Sequence, residues 1–246
     1  MECISLDFDA PSGWESLSDE QLRMVCSMLA SGFSSEEIKV LCLFRWNKIK
    51  TLKATPGFVD VERDGSVFRV RTISLAEILP SLGWIDSIPQ MPVRLAAING
   101  RKALPADFEG VPFESYIIVD NLYQGYLVTR DGSMLDDMTD VLYGKHMVLD
   151  PAERVSVFYW MASLKGFFAR RYSDLLQPAG ASDGNMLGPS PSSVEDAMNA
   201  QIRALTKGDV TKEKEVLSID TWRALSELNA QAREYKDFNA RYGKKT

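Results

Sequence analysis

The chain has 246 residues, 45% hydrophobic and 25% charged, with 28 Lys+Arg against 34 Asp+Glu and a formal net charge of −6. No apolar run approaches the ~20 residues of a membrane span, the start MECISLDFDAPSGWE lacks the basic and apolar regions of a secretory signal, and three Cys do not build a disulfide scaffold. A mildly acidic surface grips phosphates poorly, and a single His leaves few ways to assemble zinc or His-based chemistry.

The stretch through Trp14 has no sustained period and reads as an arm that packs on the rest. A helix then starts sharply. Ser18 stands three residues before Gln21, a capping-box pairing, and Leu22, Val25, Cys26 and Leu29 follow at helical spacing. Gly32 suits a left-handed helix stop. The grammar repeats with Ser34 and Glu37. Ile38, Leu41, Cys42 and Phe44 or Arg45 carry a second helix to about residue 49, with a basic end at Lys48 and Lys50 that favours the negative pole of its dipole. The pair reads as a helical hairpin or a helix-turn-helix.

Residues 58–62 and 67–71 alternate around Arg63-Asp64-Gly65 and predict a β-hairpin, which needs a further strand or a helix beneath it. Residues 93–98, ahead of Asn99-Gly100, are a candidate third strand. Ser74 and Glu77 open a short helix by the same capping logic, ending before Gly83, and residues 84–92 form an irregular connector with two prolines. Helices are predicted over 112–129 and 134–143. Asp150-Pro151-Ala-Glu153 opens another, reaching about residue 176, whose first half is apolar nearly all round. Such a helix is buried on several sides and is the expected centre of the main domain.

Residues 177–193 are rich in Gly, Pro and Ser and read as a linker. Two helical segments follow. One, 194–205, carries Val194, Met198, Ile202 and Leu205. The other, 220–242, carries Trp222, Leu225, Leu228, Ala232, Tyr235 and Phe238. The joint between them is highly charged. From residue 194 onward there are ten Lys+Arg against nine Asp+Glu, leaving eighteen against twenty-five in the rest, so the acidic bias belongs to residues 1–193. The expected architecture is mainly α with a small β-hairpin or sheet (α+β). It comprises a compact helical main domain over 1–176, a linker over 177–193 and a linked helical tail over 194–246.

Chemistry-bearing groups are sparse. There is no glycine-rich phosphate loop. His146 has no nucleophile near it in sequence and reads as a loop histidine. Cys26 and Cys42 fall on apolar helix stripes and read as buried thiols. With Cys3 they offer no zinc spacing, and the absence of a disulfide pattern points to a reducing compartment. Asp136, Asp137 and Asp140 cluster on one helix and Asp7 and Asp9 lie at the N-terminus; paired carboxylates can bind a divalent ion or run acid–base chemistry, but three acids at a helix start read as serving its dipole and solubility. No catalytic residue, metal site or cofactor is expected. A nucleic-acid surface at Arg45, Lys48 and Lys50 is disfavoured, because Glu36, Glu37 and apolar residues fill the half of the second helix that would read bases. Lys165, Arg170 and Arg171 with Phe167, Phe168 and Tyr172 read as a helix end whose aromatics pack inward. The tail stripe of Trp222, Leu225, Leu228, Tyr235 and Phe238 must be covered, by the protein itself or by a partner in helix-in-groove fashion. In the partner case, removing residues 194–246 leaves the main domain folded.

The run Met198-Asn-Ala-Gln-Ile-Arg-Ala-Leu-Thr-Lys-Gly-Asp-Val-Thr-Lys212, followed by Val216-Leu-Ser-Ile-Asp-Thr-Trp-Arg-Ala-Leu-Ser-Glu-Leu228, resembles the helical part of phage tail assembly chaperones, in which such a turn links a helix to a second one beginning near an aromatic. Residues 58–71, 122–127 and 157–165 look like proteins of phages and prophages of gut Bacteroidales. The chaperone resemblance covers about the last fifth of the chain, and the large N-terminal part departs from the small chaperones. It implies a non-enzymatic morphogenesis protein of the bacterial host cytoplasm, or associated with the virion. Its partners would be tail or tape-measure proteins, other virion proteins or further copies of itself, with no membrane. Gly243-Lys-Lys-Thr is compatible with the slippery coding site such families use for a longer frameshifted product. Two other readings stand beside this one: a virion neck or connector subunit, and a DNA-binding regulator using residues 18–50.

Overall fold

The computed structural model describes residues 8–176 and 191–242, with side chains from residue 198 onward in the second stretch. Cys3, Asp7, residues 177–190 of the expected linker and the lysines of 243–246 lie outside the described residues. The fold is mainly helical with a small antiparallel β part, a three-stranded sheet and a two-stranded ribbon. Contacts divide the chain into two units. One comprises the residues up to Pro89 together with Pro151–Ser156. The other comprises Gln90–Asp150 and the chain from Val157 on. The division therefore does not follow the expected boundary at 176. The helices after the linker group with residues 90–150, and one long helix contributes to both units.

In the first unit, α1 (Asp19–Ala30) and α2 (Ser35–Trp46) both begin with the expected capping boxes. Ser18 Oγ accepts from the Gln21 amide at 3.2 Å, and the Ser18 amide donates to Gln21 Oε1 at 2.9 Å. Gly32 follows α1 at φ 76°, the left-handed stop that a side chain would resist. The α2 helix ends at Trp46, three residues before the expected limit. There Asn47 Nδ2 donates back to the Leu43 carbonyl at 2.8 Å and Lys48 turns left-handed at φ 55°. That stop frees Lys50 to open a strand that the sequence did not announce. β1 (Lys50–Thr55), β2 (Phe58–Arg63) and β3 (Ser66–Arg71) pair antiparallel in that order. Asp64 and Gly65 both have positive φ, 51° and 79°, as a two-residue hairpin turn of this twist needs. The register pairs Val61 with Phe68 and Val59 with Val70, so these four share one face, on which Val61 and Val70 are buried. The next helix, α3 (Thr72–Ile78), starts two residues before Ser74 without a side-chain cap, and a 3-10 helix continues through Asp86.

The core of this unit collects Leu22, Val25, Cys26, Ile38, Cys42 and Leu43. Leu41 points outward instead of joining the stripe. Burial pushes both thiols up to about 12, which leaves them as small hydrophobes at neutral pH. The arm does pack. Trp14 is buried, and its indole N–H donates to the Trp84 and Ser87 carbonyls at 2.9 and 3.0 Å. Asp9 and Asn47 exchange two hydrogen bonds of 2.8 Å. Lys39 is buried and pairs with Asp86 at 2.8 Å and Glu36 at 2.9 Å, which ties α2 to the 3-10 segment.

In the second unit the expected strand over 93–98 shrinks to a ribbon, β4 (Ala97–Ile98) with β5 (Arg101–Lys102), around Asn99-Gly100. Then come α4 (Phe113–Thr129), two short helices in place of the expected 134–143 helix, α5 (Ser133–Asp137) and α6 (Thr139–Leu142), and α7 (Pro151–Arg171), which stops five residues short of 176. Past the linker lie α8 (Pro191–Thr206), α9 (Glu213–Ser218) and α10 (Thr221–Tyr242), α9 filling part of the charged joint. The buried centre is α7, through Val157, Trp160, Met161, Leu164 and Phe168. Trp160 donates to the Ala106 carbonyl at 2.7 Å and meets the rings of Phe108 and Tyr143 edge-on, each at 6.1 Å. α4 sets Tyr116 on Phe168 at 5.4 Å, and Tyr123 and Tyr126 on Phe158 at 5.8 Å. Between them Lys165 reaches Asp120 at 2.8 Å. Burial works against its charge, but Tyr116 and Asp120 outweigh that and its pKa is raised. Among the described residues no helix is long and apolar enough to cross a membrane.

Trp160 is the largest fully buried side chain of α7, and its N–H donates to the Ala106 carbonyl. Trp160→Ala is expected to cost about 3–5 kcal/mol, and Leu41→Ser no more than about 0.5 kcal/mol. Urea denaturation followed by circular dichroism measures both.

Candidate functional site

The tail stripe begins where α10 is sewn onto the loop before α4. Thr221 donates to the Val111 carbonyl twice, from its amide at 2.8 Å and its hydroxyl at 2.7 Å. Next to it the Phe113 amide donates to the Ile219 carbonyl at 2.8 Å, the Gly110 amide to Asp220 Oδ2 at 2.7 Å, and the Trp222 indole to the Asp107 carbonyl at 2.7 Å. Asp220 also caps α10, accepting from the Arg223 amide at 3.0 Å. The loop reaches this geometry through Phe108 and Gly110, both at positive φ, 63° and 74°. Gly110 supplies its conformation without side-chain strain. Phe108 is held there by complete burial against Tyr116 and Trp160.

A second set of contacts reaches α10 from the end of α7. Arg171 lies over the Trp222 ring at 4.1 Å, and the Tyr172 hydroxyl donates to the Trp222 carbonyl at 3.2 Å. Asn229 Oδ1 accepts from the Asp174 and Leu175 amides at 2.9 and 3.0 Å. Asp174 then takes Arg233 at 2.9 Å and Lys236 at 3.4 Å, and the hydrogen bond from Arg233 holds its carboxyl below the usual range.

These contacts split the expected stripe. Leu225 is 0% and Leu228 4% exposed, and Trp222 is half-buried. Tyr235, Phe238 and Tyr242 are 69%, 60% and 68% exposed. Every residue from Arg233 to Tyr242 is exposed, a helical end of about 15 Å at 1.5 Å per residue whose aromatic side no described residue covers. The first half of the stripe is core, so removing residues 194–246 would strip a buried face and not a free appendage. The second half is a surface.

Beside the sewn half lies a groove of about 720 Å³. Half-buried Leu205, Val216 and Ile219 lie along it, with Lys212, Glu215, Arg223 and Glu227 among its polar lining. The turn after α8 is a helix stop. Lys207 and Gly208 are left-handed at φ 54° and 81°, the Gly208 amide donates to the Arg203 carbonyl at 3.0 Å, and Asp209 caps the next turn by accepting from the Thr211 amide at 3.1 Å. Tyr242 and the groove's Val216 and Ile219 were missed in the sequence. Tyr242 continues the three- and four-residue spacing past Phe238, and the charge of the joint hid the apolar pair in and after α9.

The remaining candidates do not converge on a chemical site. Arg45, Lys48 and Lys50 are exposed at the end of α2 and the start of β1, while the exposed N-terminal turn of α2 offers Glu36 and Glu37. Arg170 donates to the Gln90 carbonyl, Phe168 and Tyr172 are buried, and Lys165 and Arg171 are engaged as above, so this basic–aromatic group packs within its unit. His146 Nδ1 lies 3.6 Å from Asp137 and 3.9 Å from Asp140 on the surface. Asp136 is buried and accepts from the Leu149 amide at 3.1 Å, a structural role in holding the chain before α7. Among the described residues no three His, Cys, Asp or Glu side chains gather as a metal-binding group. No family model matches the sequence, and no curated protein or solved structure matches it.

The division of the stripe is directly measurable. Leu225→Ala is expected to cost about 2–5 kcal/mol, and Phe238→Ala to stay within about 0.5 kcal/mol, in parallel chemical denaturations. Equal losses at the two positions would show that the end of α10 is packed as core.

Proposed function

We propose that the protein works by contact and not by chemistry. In this reading it is a non-enzymatic phage morphogenesis protein, akin to tail assembly chaperones, that holds a tail or tape-measure protein in the host cytoplasm. The exposed end of α10, with Tyr235, Phe238 and Tyr242, is the docking surface. The observation that carries the reading is the division of one continuous stripe into a half sewn into the unit and a half presented to solvent. Three large aromatics within eight residues of one exposed helix are rare on a surface that binds nothing, and amphipathic helices with anchors at this spacing are a recurrent recognition device. The resemblance of residues 198–228 to the helical part of the chaperones supports the same assignment, because it falls on the turn and helix that present the surface.

The test uses the full chain and the tape-measure protein of the same phage, co-expressed. Wild type should co-purify with it. The variant Tyr235→Ser/Phe238→Asp/Tyr242→Ser should keep its unfolding midpoint and lose at least about tenfold in affinity, since aromatic anchors each carry about 2 kcal/mol or more at such interfaces. Unchanged co-purification by the triple variant would remove this surface as the docking site.

A further inference from the structure

The charges along the exposed end of α10 say more than that it is a surface. At 100° per residue, Tyr235, Phe238 and Tyr242 form one row, with Glu234 and Arg241 two turns apart on the same edge of it. The other edge carries Ala232 and Asn239, which are uncharged. Arg233 and Lys236 face the other way and are engaged by Asp174. When two identical helices pack antiparallel, like edges meet. A second copy laid antiparallel on this row brings Tyr235 against Phe238 of that copy, and the same register brings Glu234 within two residues along the axis, about 3 Å, of its Arg241, a gap these long side chains span. The two-fold axis makes each contact twice. No like charges meet on either edge in this register. In a parallel pair each Glu234 would face the uncharged edge instead, so the favourable pairing belongs to one orientation.

From this self-complementarity we infer that the exposed end of α10 is closed by a second copy of the chain, in an antiparallel two-fold pair. The inference rests on the reading of this end as a docking surface and names what covers it when no other partner is present. Its size sets its strength. Six aromatic side chains that each bring ~150–250 Å² and are about two-thirds exposed contribute roughly 600–1,000 Å². A standard stable interface buries about 1,200–2,000 Å². The pair is therefore a weak, concentration-dependent dimer, strong enough to shield the aromatics and weak enough to be displaced by a larger apolar partner.

A charge-swap cycle on the full chain tests it. Sedimentation velocity over a broad micromolar range should show wild type passing from monomer to dimer. Glu234→Arg and Arg241→Glu should each weaken association roughly tenfold, because two attractive pairs become repulsive, and the double variant should recover it. All these positions are exposed, so circular dichroism should show the same fold throughout. Wild type that stays monomeric over the whole range overturns the proposal. A dimer indifferent to both single swaps, or one the double variant fails to restore, overturns it as well. If a monomeric wild type still binds the tape-measure protein and the aromatic triple variant does not, the docking reading survives and self-association alone is lost.

Discussion

Both donors of Thr221 converge on one carbonyl, that of Val111, and the second unit depends on that seam. Thr221 is completely buried, and with the Phe113, Gly110 and Trp222 N–H groups it joins the start of α10 to the turn before α4 by backbone and side-chain bonds of 2.7–2.8 Å. A buried donor left without its acceptor costs about 1–3 kcal/mol. Pulling the helix away would orphan several at once, and would also uncover Ala224, Leu225 and Leu228. The last helix is therefore a structural wall of its unit, although fourteen residues, half of them Gly, Pro or Ser, precede α8. The seam also fixes the angle at which α10 leaves the loop, and with it the direction in which the unburied end points.

A helix held so firmly at one end can carry an exposed end at little conformational cost. An isolated ten-residue helix is marginal in water because its nucleation is unfavourable. Here nucleation is already complete in the buried turns, and Asp174 grips Arg233 and Lys236 partway along. The aromatics are presented on a preformed scaffold, which lowers the ordering entropy that a docking partner would otherwise have to overcome. The same rigidity accounts for how three large aromatics can remain outside without collapsing onto the nearest apolar surface.

How much of this was legible varies with the range of the forces involved. The helix starts at Ser18 and Ser34 and the Asp64-Gly65 turn were readable because each is decided within four residues. Strand β1 was not, because four residues of Lys-Thr-Leu-Lys-Ala-Thr are Lys or Thr, all but Thr55 stay exposed, and the segment becomes a strand by pairing with β2. The stop of α2 at Trp46 depends on Asn47, whose side chain is claimed by Asp9, 38 residues away in sequence. The stripe of α10 was visible as a stripe, but its division was not. What decides it are Val111 and Asp107, more than a hundred residues upstream, and the turn after α7. A periodicity shows that a face must be covered and is silent about what covers it.

The charge distribution gains a physical meaning from the same division. The acidic surplus lies outside the last helices, whose own charges nearly balance, and within α10 that balance is spatial as well as numerical. Arg233 and Lys236 are spent inward on Asp174, while Glu234 and Arg241 remain on the aromatic side. A surface meant only to keep a helix soluble needs charge of either sign at any position. Opposite charges two turns apart on one edge of an aromatic row, with an uncharged opposite edge, restrict what can lie there: a partner must offer apolar contact in the middle and the reverse order of charge alongside. The antiparallel copy meets that condition because its own edge is the same sequence read backwards. Any partner that displaced such a copy would have to meet the condition better, with more apolar area over the same two charges.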